Sequence, residues 1–368
     1  MSKDLKKKKV IFVINSLPGG GTEKVLVDMV NYLNPAQYDI ALALFKKEGA
    51  LLARIPDRVK IYDLKRSSRF SFAKMVIRLA VLLKNTDADT VMSFMFYSNL
   101  ILILARILSG SQAKIIISEH EHLSSKLKHA RLKHIKKFLC KMFYKYADVC
   151  VAPSEGIKND LMILFRLDPA KIAVINNPLD LSAIDKLKGM EAEHPKDKYI
   201  LAVGRLTEQK GYGYLLRAYS LICKDIDEKL VILGEGEDED KLKRLAKDLG
   251  LEQRVLFLGF QDNPYRFMRR ASVFVLSSLW ESFALVIVEA MASGTAVIAT
   301  DCPVGPNEII TNGVNGVLVP PADERAMARA TLELLKNEDL RKRFIEAGRA
   351  RAKDFSIEKI MPAYEKIL

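Results

Sequence analysis

Val273-Phe274-Val275-Leu276-Ser277-Ser278-Leu279-Trp280-Glu281-Ser282-Phe283-Ala284-Leu285-Val286-Ile287-Val288-Glu289-Ala290-Met291-Ala292-Ser293-Gly294 is the stretch that decides the architecture. Residues 273–276 form a short apolar run that reads as a buried strand, 277–283 as a loop, and 284–293 as a helix stopped by Gly294. Glu281 then stands in the loop at the helix start, and Glu289 about one and a half turns inside. A carboxylate among Leu, Val, Ile, Ala and Met is costly to desolvate unless something hydrogen-bonds it. In a parallel α/β sheet such a loop opens at the carboxyl edge of the strands, where ligands bind. The bland alternatives are a dipole-complementing Glu281 and an exposed Glu289.

Working upstream, residues 199–203 read as a strand running into Gly204-Arg205-Leu206-Thr207-Glu208-Gln209-Lys210-Gly211, followed by a helix over about 212–221. Glycine permits a tight strand exit. The helix start offers free N–H groups, and Arg205 and Lys210 add two cations, a combination that holds a diphosphate without a metal. The alternative is a solvated Arg and Lys beside a plain turn. The loop lacks the G-x-x-x-x-G-K-[ST] pattern of a P-loop.

The Gly-Arg-x4-Lys-Gly loop and the Glu-x7-Glu helix, in this order, resemble the retaining nucleotide-sugar glycosyltransferases of glycosyltransferase family 4. The resemblance covers nearly the whole chain. It implies the GT-B fold, in which two Rossmann-like domains with parallel sheets face each other across a cleft. By this resemblance Arg205 and Lys210 bind the donor diphosphate, Glu289 the ribose hydroxyls, and Glu281 approaches the donor sugar. The family often reads Glu-Gly-Phe-Gly-Leu where this chain has Glu281-Ser282-Phe283-Ala284-Leu285, so two glycines are replaced beside the Leu285 contact to donor.

A chain of 368 residues accommodates two domains. Repeated strand-then-helix patterning in both halves argues parallel sheets covered on both faces. The boundary is expected near 178–197. The domains are then 1–178 with a returning helix at 355–368, and 179–354 for the nucleotide sugar. Four scattered cysteines lack metal spacing and suit a reducing compartment. No signal peptide is visible, and 91–108 reads as strand-loop-helix rather than a membrane span. Charge is uneven. Residues 1–180 hold 30 Lys and Arg against 16 Asp and Glu, whereas 181–368 hold 28 against 29. The cationic field of one half points to an anionic partner there.

Gly19-Gly20-Gly21-Thr22-Glu23 follows the first strand, and its N–H groups can face a ligand. A plain turn is the alternative, and the dinucleotide fingerprint fails because Lys24 stands where the third glycine belongs. The family commonly shows Gly-Gly-Ala-Glu here, which puts Gly20 and Gly21 over the donor phosphates or acceptor. His120 ends the strand at 114–117. The resemblance implies a histidine near the donor sugar there, with Glu119 able to hold its ring. His120, Glu121 and His122 do not make a zinc site, because adjacent residues splay. Asp87-Ala88-Asp89 precedes a strand instead of following one, so it reads as a helix-to-strand turn. With Arg205 and Lys210 supplying the cations, no metal or other cofactor is expected. Gly234-Glu235-Gly236-Glu237 and Gly259-Phe260-Gln261 follow strands at the same edge, and the resemblance makes Phe260 the side chain stacked on the base. Glu308 opens a further loop-to-helix turn there.

Between Glu121 and Asp148 there are eight Lys and Arg and no acid. At about 100° per residue, Ile135, Phe138, Leu139, Met142, Phe143 and Tyr146 share one face. Lys126, Lys133, Lys136, Lys137 and Lys141 occupy the other. The apolar face is expected to pack on the core. The basic face over 124–146 is read as meeting anionic lipid or a diphosphate-linked acceptor, against the alternative of a solvated scaffold.

The expected function is retaining transfer of a sugar from a nucleoside-diphosphate donor, with uridine favoured, to a polyprenyl-diphosphate-linked glycan. The setting is peripheral, on the cytoplasmic face of the plasma membrane. This serves bacterial surface polysaccharide or glycoprotein synthesis. A nucleotide-sugar epimerase on the same fold is one alternative. A basic nucleic-acid binder is another, but it leaves Glu289 unexplained and no nucleic-acid partner is expected.

Overall fold

The computed structural model describes residues 6–67, 71–128, 133–190, 195 and 197–368. The chain divides into two compact units, one ending at Pro178 and regaining Ile357–Leu368, the other comprising Leu179–Ser356.

The first unit alternates strand and helix: β1 (Lys8–Ile14), α1 (Gly21–Tyr32), β2 (Tyr38–Leu44), β3 (Lys60–Asp63), α2 (Phe72–Asn85), β4 (Thr90–Phe94) and α3 (Phe96–Ser109). There follow β5 (Lys114–Ser118), α4 (Leu123–Lys128), α5 (Lys133–Phe143), β6 (Val149–Ala152), α6 (Glu155–Phe165) and β7 (Ile172–Val174). The seven strands make one parallel sheet in the order β3-β2-β1-β4-β5-β6-β7. Chain direction reverses across the sheet between β1 and β4. Helices of right-handed crossovers on the two sides of such a point cover opposite faces. Accordingly α2, α3, α5 and α6 pack side by side in one row.

The second unit begins with α7 (Leu181–Leu187), β8 (Tyr199–Val203), α8 (Tyr212–Ser220), β9 (Lys229–Leu233), α9 (Glu239–Asp248), β10 (Val255–Phe257) and α10 (Tyr265–Arg270). It continues with β11 (Val273–Leu276), α11 (Leu285–Ser293), β12 (Val297–Thr300), α12 (Pro306–Ile309), β13 (Val317–Val319), α13 (Glu324–Lys336) and α14 (Glu338–Ala352). Its parallel sheet runs β10-β9-β8-β11-β12-β13, the doubly wound order. Strands such as β11 and β12 are buried along their whole length, as helices on both faces require.

α15 (Ile357–Ile367) closes the chain in the first unit, against α1. Met361 and Tyr364 are fully buried, and Lys114 Nζ donates to the Ile367 carbonyl at 2.7 Å.

Two expectations need correction, one on the apolar stripe of α5 and one on the linker before α3. The boundary segment contains a folded helix, because Asp180 caps α7 at the Ala183 N–H and Ile184 is buried. Residues 191–194 and 196 of that segment lie outside the described residues. The basic segment is described as α4 and α5; residues 129–132 between them lie outside the described residues, as do the side chains of Lys126, Lys133 and Lys136. Most of the apolar stripe of α5 does not pack on the core as expected: only Leu139 and Phe143 are half-buried. Ile135, Phe138, Met142 and Tyr146 are exposed. The buried line is Cys140 and Tyr144, because Tyr144 donates to buried Glu119 at 2.8 Å and so fixes which side turns inward. The linker before α3 is also shorter than strand-loop-helix implied: Met95 alone, at φ 70°, turns β4 into the helix.

Candidate active site

In the second unit β8 and β11 are neighbours at the point where strand order reverses, and both candidate loops leave their carboxyl ends. That is where open α/β sheets bind ligands. The loops are tied together along their length. Leu279 N donates to Gln209 O at 2.8 Å, Gln209 Nε2 to Trp280 O at 2.9 Å, and Ser277 Oγ to Lys210 O at 2.8 Å. Gly211, at φ 63°, makes this approach possible: a Cβ there would lie 2.1 Å from Ser277 O. Gly234 does the same for the next loop, since its Cβ would lie 2.1 Å from Gly204 O.

Lys210 Nζ sits 2.5 Å from Glu281 Oε1, with 18% and 6% of the two side chains exposed. Ser278 Oγ donates to the same oxygen at 2.6 Å. Glu281 is thus satisfied where it is buried. The Arg205 guanidinium is exposed and, among the described residues, makes no ion pair or side-chain hydrogen bond. One cation is paired and one is open at the mouth of α8, whose first N–H groups have no intrahelical acceptor. Burial and the Glu281 charge push the Tyr212 hydroxyl far up. The Cys302 thiol is pushed up to about 12 by burial and then by Glu281, so it stays protonated.

Glu289 is 5% exposed on α11, which settles the choice between exposed and held. Tyr265 Oη donates to Glu289 Oε1 at 3.2 Å. Leu285 is the first residue of α11, and Ala284 before it adopts φ 65°, ψ 52°. Phe260 is 48% exposed beyond β10, its N–H directed at Glu235 Oε1 at 3.4 Å. That is the exposure a ring needs to stack on a planar ligand. Glu308 gives its carbonyl to Arg351 Nη2 at 2.7 Å.

His120, Gly20 and Gly21 belong to the first unit. His120 is 8% exposed beyond β5. Its Nε2 lies 2.8 Å from Ser118 Oγ, and its ring stands 5.7 Å from that of Phe94. Burial holds its pKa down to about 4, so the ring is neutral at pH 7. Glu119 does not hold it; that carboxylate turns to Tyr144 and Asn99 instead. The glycine turn follows β1, at that sheet's own reversal point. The Glu23 carboxylate folds over Gly20, whose Cβ would lie 2.5 Å from Oε2, whereas a Cβ on Gly21 would meet nothing. Asp89 accepts the Lys9 N–H at 2.7 Å at the amino edge, away from these loops.

Ser278 and Tyr265 escaped the sequence reading. Ser278 adjoins the Glu281 loop, and its spacing of three from Glu281 was the available signal. Tyr265 lies in a six-residue helix that carries no motif.

Residues 19–183 match the family described as Glycosyltransferase Family 4, and residues 184–351 that described as Glycosyl transferases group 1. The N-acetylgalactosamine-N,N'-diacetylbacillosaminyl-diphospho-undecaprenol 4-alpha-N-acetylgalactosaminyltransferase of Campylobacter jejuni is 32% identical over 96% of this chain and 97% of its own. The GalNAc-alpha-(1->4)-GalNAc-alpha-(1->3)-diNAcBac-PP-undecaprenol alpha-1,4-N-acetyl-D-galactosaminyltransferase of the same organism is 27% identical over 98% of each chain. The structure of Anabaena HepE in complex with UDP and glucose has the same fold, with a TM-score of 0.79, 21% identity and 98% of both chains covered.

Proposed function

We propose what this enzyme does from one premise: the chain belongs to the glycosyltransferases of family 4, which carry the GT-B fold. Its donor is a uridine-diphosphate sugar, and its acceptor is a glycan on a polyprenyl diphosphate. The carrying observation is the pair of tied loops at the β8/β11 reversal point, where Arg205, Lys210 and the start of α8 converge. An ammonium has three donors, so Lys210 can keep Glu281 and still reach a phosphate oxygen. Arg205 and Lys210 stabilise the charge that develops on the departing diphosphate. They do so without a divalent ion. Glu289, steadied by Tyr265, takes the ribose hydroxyls, Phe260 the base, and Glu281 the donor sugar. His120 is neutral and offers its ring as a hydrogen-bonding group rather than as a cation.

No side chain stands out as a covalent nucleophile, so the acceptor hydroxyl attacks the anomeric carbon from the face the diphosphate leaves. The hydroxyl proton passes to the departing diphosphate oxygen, and the anomeric configuration is kept. An N-acetylhexosamine is the first donor to test, because both Campylobacter relatives are N-acetylgalactosaminyltransferases. Their names also support the lipid-diphosphate acceptor.

Among the described residues no helix is long and apolar enough to cross a membrane. The enzyme reaches a lipid acceptor peripherally, at the cytoplasmic face, through the basic surface of α5, where Lys137 and Lys141 are exposed.

NMR of the product's anomeric proton tests the reaction. Retention supports this reading; inversion overturns the same-face route.

A further inference from the structure

Among the described residues of the first unit, the large exposed apolar side chains other than Tyr32 on α1 and Ile163 on α6 fall on the adjoining helices α2, α3 and α5 or just beyond α5. Besides the stripe on α5, Ile77 and Val81 on α2 are each 54% exposed, and Ile107 and Leu108 on α3 are 55% and 60%. These helices adjoin. α3 packs on both neighbours, and Arg106 Nη1 at its end donates to the Tyr146 carbonyl just beyond α5 at 3.2 Å. The charge of these three helices is of one sign. α2, α3 and α5 contain no Asp or Glu, and their exposed cations include Lys74, Lys84, Lys137 and Lys141. The flanking helices do contain acids: Glu155 and Asp160 on α6 at the end of the same row, Glu23 and Asp28 on α1, Glu358 and Glu365 on α15.

Apolar side chains interleaved with cations and free of acids fit one kind of partner. Anionic phospholipid satisfies both, because headgroups take the ammonium groups while the acyl boundary takes the apolar tips. A second copy of the chain would set like charges against each other, with carboxylates only at the margin, where Asp148 is already paired with Arg106 at 3.3 Å. A nucleic acid would use the cations and leave the apolar side chains wet.

We propose that the row α2-α3-α5 is a membrane-docking face that inserts Ile77, Val81, Ile107 and Leu108 beside the α5 stripe into the headgroup layer of an anionic bilayer. This rests on the peripheral attachment proposed above and extends it from a basic helix to a three-helix face that combines charge and insertion.

The test uses full-length protein and vesicles of equal parts phosphatidylcholine and phosphatidylglycerol. The variant Ile77→Gln/Val81→Gln/Ile107→Gln/Leu108→Gln should bind about tenfold more weakly or worse, since apolar insertion is lost. Wild-type binding should survive salt better than a purely electrostatic attachment would. Lys137→Gln/Lys141→Gln is the comparison. If it alone releases the protein, the three-helix face is wrong and the basic helix stands. If the apolar variant alone does, the face stands and the basic-helix attachment fails. If the apolar variant binds vesicles like wild type but loses a dimer in sedimentation, the face is covered by a second copy, and the proposal is overturned. Wild type that ignores these vesicles sinks both ideas. Should the fourfold variant misfold, Val81→Trp supplies the reading. Its added emission should shift to the blue on vesicles and be quenched by brominated lipid; absence of both contradicts insertion.

Discussion

Lys210 and Arg205 offer the same charge from opposite circumstances, one half-buried and paired with Glu281, the other open. Both should matter to the chemistry, and only one to the fold. Replacing either by Ala is expected to lower kcat/KM by at least about 10²-fold, through lost stabilisation of the leaving diphosphate. Steady-state kinetics with donor varied checks this. Lys210→Ala should also lower the melting temperature, because a buried carboxylate loses its cation; Arg205→Ala should not. His120 makes a second residue-scale prediction. Its folded pKa of about 4 lies below the usual 6.5. The stability its neutral ring contributes is therefore full above about pH 6.5 and is lost as pH falls toward 4. Urea midpoints should drop more steeply over that interval in wild type than in His120→Gln, and equal slopes would contradict the burial. The sequence marked Glu281, Lys210 and His120 by type and position. It could not show that Glu281 and Lys210 touch, since 71 residues separate them and only the adjacency of β8 and β11 brings them together. Nor could it show that His120 answers to Ser118 and not Glu119.

At the scale of elements, α11 begins under strain. Ala284 occupies the left-handed region at φ 65°, where a Cβ costs roughly 1–2 kcal/mol. Ala284→Gly removes that cost and returns part of it as added unfolded-chain entropy. The net expectation is a stability gain of roughly 1 kcal/mol, read from chemical denaturation. A loss would mean the Ala284 methyl contributes packing that outweighs its backbone strain. The elements themselves were legible in the sequence. Strands buried on both faces, such as Val273–Leu276, read as continuous apolar runs, and Gly294 stops the helix that follows. Two kinds of element were not. Tyr265 sits in a helix too short to show a period. The stripe on α5 was visible as a stripe, but periodicity says which residues share a face and not whether that face is covered. Buried Cys140 and the Tyr144–Glu119 hydrogen bond show which side turns inward.

For the whole molecule, the uneven charge fits the proposal that the two halves meet different anions. The first carries the cationic excess and the three helices α2, α3 and α5 without an acid, which is the face proposed for a lipid surface. The second is nearly neutral and spends two cations on one site. Because those cations are built into the chain, turnover in saturating EDTA should stay within about twofold of the untreated rate, and a loss rescued by magnesium or manganese would refute this. The central claim is transfer from a uridine-diphosphate sugar to a polyprenyl-diphosphate glycan, driven by the loops at the β8/β11 reversal point. The most direct measurement follows labelled N-acetylhexosamine from its UDP form into the organic-extractable lipid-linked glycan. Label should enter the lipid phase with wild-type enzyme and fall to background with Lys210→Ala. No label in the lipid phase from any UDP-sugar, or undiminished transfer by Lys210→Ala, would contradict the account.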